Sequence, residues 1–108
     1  MWTFRFIKKL EKKLNRLKGL ISIAKKAGFV VIGAENLKGY NKKLFLLLMD
    51  KLAGNSLKRE MNFLAQTRNL PLLEIENLAE IVAIDNCKAI GIKNKVMSEN
   101  IEKCLKGE

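Results

Sequence analysis

The chain has 108 residues, 48% of them hydrophobic, and a formal net charge of +10 with no histidine. This length and hydrophobic fraction predict one packed domain, and the single proline argues against disorder. No apolar run approaches the roughly eighteen residues of a membrane-spanning helix, and lysines interrupt any leader near the N-terminus. We therefore expect a cytoplasmic protein with no integral membrane association.

The positive charge is concentrated at the N-terminus. Residues 1–28 hold nine Lys and Arg against one acid, whereas residues 29–108 hold twelve against ten. Because like charges repel, such crowding indicates a polyanionic partner, either nucleic acid or an acidic lipid surface.

Residues suited to catalysis or metal binding are scarce. Histidine, the commonest general base and metal ligand, is absent. Cys87 and Cys104 are predicted to be buried free thiols of a reducing compartment. Gly33 and Gly39 fit neither a P-loop nor a dinucleotide fingerprint. We expect no catalytic residue, metal or cofactor, and a binding module is favoured over an enzyme.

The first half of the chain predicts two helices and two strands. Apolar residues spaced by three and four over 6–27 indicate one amphipathic helix, which ends at Gly28. The β-branched run 29–32 predicts a strand, and residues 34–41 can form two helical turns. The continuous apolar run 44–49 is typical of a central strand buried on both faces.

The second half continues this alternation. One strand is predicted to start at Pro71 and continue over residues 72–75, and another covers residues 88–92. The helix that precedes the first of these two strands is predicted to end before Asn69. Three helices are predicted to begin at capping side chains, namely Asn55 or Ser56, the Asn77–Glu80 capping box, and Ser98.

The order of these elements predicts the α/β class. Alternating helices and strands with short connections imply a three-layer α/β/α sandwich, with a four-stranded mixed sheet between two helical layers. No linker or repeat divides the sequence, so residues 1–108 are expected to form one domain. Residues 1–16 are its extended, basic, amphipathic N-terminal helix.

Several short motifs occur in an order found in a known family. They are Leu17–Gly28 (LKGLISIAKKAG), Val31–Gly33, the buried run 44–50, Ala53–Arg59 (AGNSLKR) and Asn69–Leu72 (NLPL). This order resembles the ribosomal-protein family of archaeal protein L-seven-Ae and eukaryotic protein L-thirty-e, and most of all its small bacterial YlxQ-type members. The resemblance covers about residues 17–105. It implies non-catalytic binding of structured RNA, typically kink-turns, with ribosomal RNA and ribosomal proteins as expected partners.

The resemblance also implies where RNA would bind. The expected contacts at the start of the second helix are Gly33, Ala34, Glu35 and Asn36, with Lys38 nearby. A later loop at Val82–Asp85 would place an apolar residue, Val82, against a flipped-out base. Typical members have Asn-Glu where this chain has Glu35-Asn36, and a lysine where it has Gly39. Because asparagine donates and accepts whereas ionised glutamate only accepts, the exchange alters which base edges can be read.

Further cations are candidates on their own merits. Lys51 follows a buried strand at the sheet edge that ligands favour, and Lys58 lies in the first turn of a helix, where a bound phosphate would offset its charge. Lys8, Lys12 and Arg16 of the N-terminal helix are the predicted phosphate contacts.

Two alternatives remain open from the sequence. Trp2 and Phe4 beside the N-terminal lysines also fit a membrane-surface or protein-interaction module that acts through residues 1–16. Glu35 and Asn36 could simply cap a helix, and Lys42 and Lys43 fit the solvated end of a strand.

Overall fold

The computed structural model describes the backbone of residues 2–106 and the side chains of residues 12–106. Within residues 2–106 there are nine helices and strands, in the predicted order. They are α1 Trp2–Lys26, β1 Val30–Ile32, α2 Ala34–Gly39, β2 Leu46–Asp50, α3 Asn55–Arg68, β3 Leu72–Ile75, α4 Leu78–Val82, β4 Ala89–Ile92 and α5 Lys95–Lys106. The helix α1 is continuous through Gly19.

The four strands form one mixed sheet in the order β1-β4-β2-β3. Strands β2 and β3 are parallel, whereas β4 is antiparallel to both β1 and β2. At the centre, Leu48 of β2 lies opposite Ile90 on one side and Leu73 on the other. The mixed sheet and the α/β class are thereby confirmed.

Helices cover both faces of the sheet. On one face α1 packs against α4 and α5, while α4 contacts β2 and α5 contacts β4. On the other face α2 and α3 pack together. Along β2, Leu46 and Leu48 belong to the first core, whereas Leu47 and Met49 belong to the second. All five β2 residues are buried, because alternate side chains of a central strand enter opposite layers. The predicted three-layer sandwich is confirmed.

Close packing at Gly91 fixes the position of α2. A Cβ added at Gly91 would lie 2.5 Å from Leu37 Cδ2 and 3.4 Å from Leu44 Cδ2. Leu37, the apolar anchor of the six-residue helix α2, is fully buried. A glycine in β4 therefore lets α2 approach the sheet closely.

Several predicted boundaries and caps are wrong. Strand β2 begins at Leu46 rather than Leu44. Helix α3 begins at Asn55, behind Gly54, with no side-chain cap. At the start of α5 the Asn94 Oδ1 accepts the Met97 N–H at 2.9 Å. The predicted cap Ser98 is instead buried inside α5, where its hydroxyl donates to the Lys95 carbonyl at 2.8 Å.

Candidate nucleic-acid interface

Several predicted site residues meet at one end of the sheet, which we call the α2 edge. Here β1, β2 and β3 end, at Ile32, Asp50 and Ile75, and β4 begins, at Ala89. The Gly33 N–H donates to the Ala89 carbonyl, and the Asp50 N–H donates to the Lys88 carbonyl, both at 2.9 Å. These bonds hold the start of α2 beside the connection between α4 and β4.

The buried carboxylate of Asp50 organises the loops of the α2 edge. The residue is only 3% exposed. The Leu52 N–H donates to Oδ1 at 2.8 Å, and the Leu78 N–H donates to Oδ2 at 3.1 Å. Asp50 therefore satisfies one N–H in the β2–α3 turn and one at the start of α4, as a charged acceptor does best.

This arrangement replaces the predicted capping box at α4. Asn77 adopts a left-handed conformation with φ of 54° and makes no side-chain cap. Glu80 points elsewhere and accepts a bond from Lys18 Nζ of α1 at 3.3 Å. The acceptor at the helix start is thus Asp50, 28 residues away.

Helix α2 presents its predicted contact residues at the surface. Gly33 precedes it with φ of 89°, a conformation that favours glycine. Ala34 is half-buried, whereas Glu35 and Asn36 are exposed. The Asn36 Nδ2 donates to the Ile32 carbonyl at 2.7 Å, which fixes the amide and leaves its oxygen and second hydrogen facing outward.

Carboxylates neutralise the cations of the α2 edge. Lys38 Nζ lies 2.9 Å from Glu60 Oε1 of α3 and 3.6 Å from Glu35 Oε1. The hydrogen bond to Glu60 raises the pKa of Lys38, so this lysine stays charged. Lys51 Nζ lies 3.7 Å from Glu76 Oε1. A phosphate bound here would have to compete with these acids.

The other predicted cations are distributed over the molecule. Lys58 lies half-buried in the first turn of α3, two residues before Glu60, and so belongs to the same side of the sheet as α2. Lys12 and Arg16 are exposed on α1, which covers the opposite face. The side chain of Lys8 lies outside the described residues. The structure therefore does not gather α1 and α2 into one surface layer.

The predicted base contact at Val82 is not available in this conformation. Val82 is 1% exposed and its side chain belongs to the core between the sheet and α1. Its carbonyl accepts a hydrogen bond from Lys25 Nζ at 2.6 Å. The neighbouring Ala83 is exposed and has φ of 59°. A base packed on this loop would meet Ala83 and the half-buried Ile84 instead.

A second cationic surface, which the sequence did not predict, lies at the opposite end of the sheet. It is a groove of about 740 Å³ between the α2–β2 connection, the α3–β3 turn and the start of α5. We call it the basic groove. Its charged lining consists of Lys42, Lys43, Arg68 and Lys95.

The described part of the chain contains neither a cluster of metal-binding side chains nor a membrane-spanning helix. No three histidine, cysteine or acidic side chains come together there as a metal-binding group. No described helix is long and apolar enough to cross a bilayer.

Comparisons with solved structures place this chain among three-layer α/β/α sandwiches. A protein with unknown function from Bacillus halodurans superposes with a TM-score of 0.76 at 19% identity, over 84% of this chain and 97% of that one. A 15.5 kD RNA binding protein from Giardia lamblia superposes with a TM-score of 0.60 at 16% identity, over 93% of this chain and 87% of that one. No protein-family model and no curated protein sequence matches the chain. At these identities the likeness is one of fold.

Proposed function

We propose that this chain is a non-catalytic RNA-binding protein that recognises a folded RNA through the α2 edge. The proposal is supported by the fold shared with the Giardia RNA binding protein and by the formal net charge of +10. A strong positive charge favours RNA because each neutralised phosphate releases counterions. We further propose that the chain works in the cytoplasm, in association with the ribosome or its assembly.

The observation that carries the proposal is the joining of two chain segments at the α2 edge. The hydrogen bond from Gly33 to Ala89 holds the start of α2 next to the α4–β4 connection. The resemblance described above implies RNA contacts at these same two places, one polar and one apolar. Here Glu35 and Asn36 form the exposed polar part, and Ala83 with Ile84 forms the apolar part.

The exchanged order of Glu35 and Asn36 defines what RNA the α2 edge can accept. Asn36 is anchored to Ile32 and offers both a donor and an acceptor. Glu35 is 91% exposed as a side chain and adds negative charge beside the Lys38 ammonium. We propose that the chain binds kink-turn-like bends with Asn36 as the base-reading side chain and Glu35 turned toward solvent or Lys38.

Binding of this kind acts on the RNA by population shift. A protein that contacts only the bent form lowers the free energy of that form and increases its fraction, without making or breaking a bond. The Asp50 hydrogen bonds hold the loops of the α2 edge before RNA arrives. This order reduces the entropy lost when the complex forms.

A salt titration tests the proposal. The protein is mixed with a fluorescent RNA containing one kink-turn, and the dissociation constant is measured between 50 and 300 mM KCl. Over this range the Debye length falls from roughly 14 to 6 Å. If about five phosphates are neutralised, the logarithm of the association constant plotted against log salt has a slope of roughly −3.5 to −4.5. The same RNA with its bend replaced by continuous base pairs serves as the control and is expected to bind more weakly. A slope near zero, or no binding by the folded protein, contradicts the proposal.

A further inference from the structure

We propose that the basic groove is a second RNA-contact surface, which holds the phosphate backbone of an RNA arm that extends away from the α2 edge. This inference rests on the proposed function for the identity of its partner. It concerns a different part of the molecule, formed by different residues.

The cations of the basic groove lack a carboxylate partner among the described side chains. The groove is lined by Lys42, Lys43, Arg68 and Lys95, and no acidic residue with a described side chain lines it. None of the ion pairs among the described side chains involves these four cations. At the α2 edge, by contrast, the lysines are paired with carboxylates. The groove is therefore better suited than the α2 edge to purely electrostatic contact with phosphate.

One cation of the groove, Arg68, is held in place by a hydrogen bond. An Arg68 Nη2 donates to the carbonyl of Tyr40, the residue that follows α2. Asn69, next to it, ends α3 in a left-handed conformation with φ of 55°. The guanidinium is thus fixed between the ends of α2 and α3, and its remaining N–H groups suit the bidentate geometry of a phosphate.

Lysine ammonium groups lie against aromatic rings at this end of the sheet. Lys43 Nζ lies 5.3 Å from the ring centre of Phe45, and Lys93 Nζ lies 5.5 Å from that of Tyr40 at the same end of the sheet. The lining also includes the amides of Asn41 and Asn69. A cation–π contact holds each ammonium group against its ring, so Lys43 and Lys93 present positive charge at defined positions on this end of the sheet.

The spacing of the two surfaces fits one RNA. They lie at opposite ends of the sheet, and β2 between them has five residues. At about 3.3 Å per strand residue the ends are roughly 17 Å apart, on the order of five base steps of a nucleic-acid helix. A kink-turn with an arm of ten base pairs is long enough to reach both surfaces.

Lysine protection in the complex tests the inference without a mutation. The free protein and its complex with a ten-base-pair-armed kink-turn RNA are acetylated briefly, and each lysine is quantified by mass spectrometry. We expect Lys42, Lys43 and Lys95 to be at least about threefold less modified in the complex. Lys26 and Lys103, exposed lysines outside the groove, are the internal reference. Unchanged acetylation of the groove lysines overturns the inference.

A matched pair of variants gives an independent test. Lys42→Gln with Lys43→Gln, and Lys26→Gln with Lys103→Gln, each remove two charges from exposed positions. If the groove contacts two phosphates, the first variant binds this RNA at least about tenfold more weakly at 0.1 M salt, and its log–log slope is smaller by about 1.4 to 1.8. Equal losses in both variants would show a nonspecific charge effect and overturn the inference.

The outcomes separate this inference from the proposed function. If the wild type binds RNA and the groove variant binds it with the same affinity, the groove proposal fails, whereas the proposal for the α2 edge is unaffected. If an acidic peptide protects the groove lysines and RNA does not, the groove binds a protein partner and the inference is wrong. If the folded wild type binds no RNA at all, both proposals fail.

Discussion

The substitution Asp50→Asn tests how the α2 edge is held together. The carboxylate accepts N–H bonds from Leu52 at 2.8 Å and from Leu78 at 3.1 Å while only 3% exposed. An asparagine amide offers one oxygen, so its NH₂ group must face the other N–H. The loss of one charge-assisted bond costs about 1.5–3 kcal/mol. The neutral amide relieves part of the desolvation of the buried charge, which leaves a net loss of about 1–2 kcal/mol.

Urea unfolding and amide exchange measure this effect. We expect the unfolding midpoint to fall with an unchanged m-value, the Tm to fall by roughly 4–8 °C, and the Leu52 or Leu78 amide to lose protection. Asp85→Asn makes the same chemical change at an exposed residue and is expected to stay within about 0.5 kcal/mol of wild type. An Asp50→Asn protein that is equally close to wild type would refute the organising role of this carboxylate.

Three further predictions concern recognition, packing and the buried thiol. Asn36→Ala is expected to weaken kink-turn RNA binding about three- to tenfold in a fluorescence titration. The control Asn62→Ala, which loses an equivalent bond to the carbonyl four residues earlier, should leave binding unchanged. Equal affinities of the two variants would contradict the site. Gly91→Ala places a Cβ 2.5 Å from Leu37 Cδ2 and should lower the free energy of unfolding in urea by about 1–3 kcal/mol. Gly19→Ala, with no neighbour within 4 Å of its Cβ, should raise it by about 0.5–1 kcal/mol. A Gly91→Ala protein more stable than Gly19→Ala would contradict the close packing at Gly91. Burial raises the pKa of the Cys87 thiol above its ordinary value of 9.0. The thiol therefore ionises first in the unfolded state, and its contribution to the free energy of unfolding falls as the pH rises past about 9. Native Cys87 should resist iodoacetamide at pH 8, measured by mass spectrometry, and rapid alkylation would contradict its burial.

The spacing of apolar residues predicts the helices and strands because it reflects which side of each segment is buried against its neighbouring layer. The sequence predicts β3 with its start at Pro71, and the observed strand begins one residue later, at Leu72. It also predicts β2 as a central strand, and β2 lies between β4 and β3. Both patterns are local, since alternate residues of β2 face opposite cores whatever the distant sequence.

Helix starts were predicted less well because a cap depends on which acceptor the fold brings near. At α4 the acceptor is Asp50, 28 residues before Leu78, and no spacing rule connects the two. At α5 the helix start is capped by Asn94, whose side chain accepts the Met97 N–H, and not by the predicted Ser98. In each case the residue type at the predicted cap was suitable, and a better-placed acceptor took its role.

The electrostatics of the site were the least accessible part. The pairing of Lys38 with Glu60 joins α2 to α3 and is set by helix packing. The basic groove likewise collects Lys42, Arg68 and Lys95 from three separate segments. A sequence shows where cations are concentrated along the chain, but only the fold shows which of them meet and which are neutralised.

The most direct test of RNA binding is ultraviolet crosslinking of the chain in cells that express it, followed by sequencing of the attached RNA. We expect recovery of structured RNA, ribosomal RNA foremost, with crosslinks concentrated at bent internal loops and reduced for Asn36→Ala. Recovery no greater than that of an unirradiated control, from cells that contain the folded protein, would contradict it.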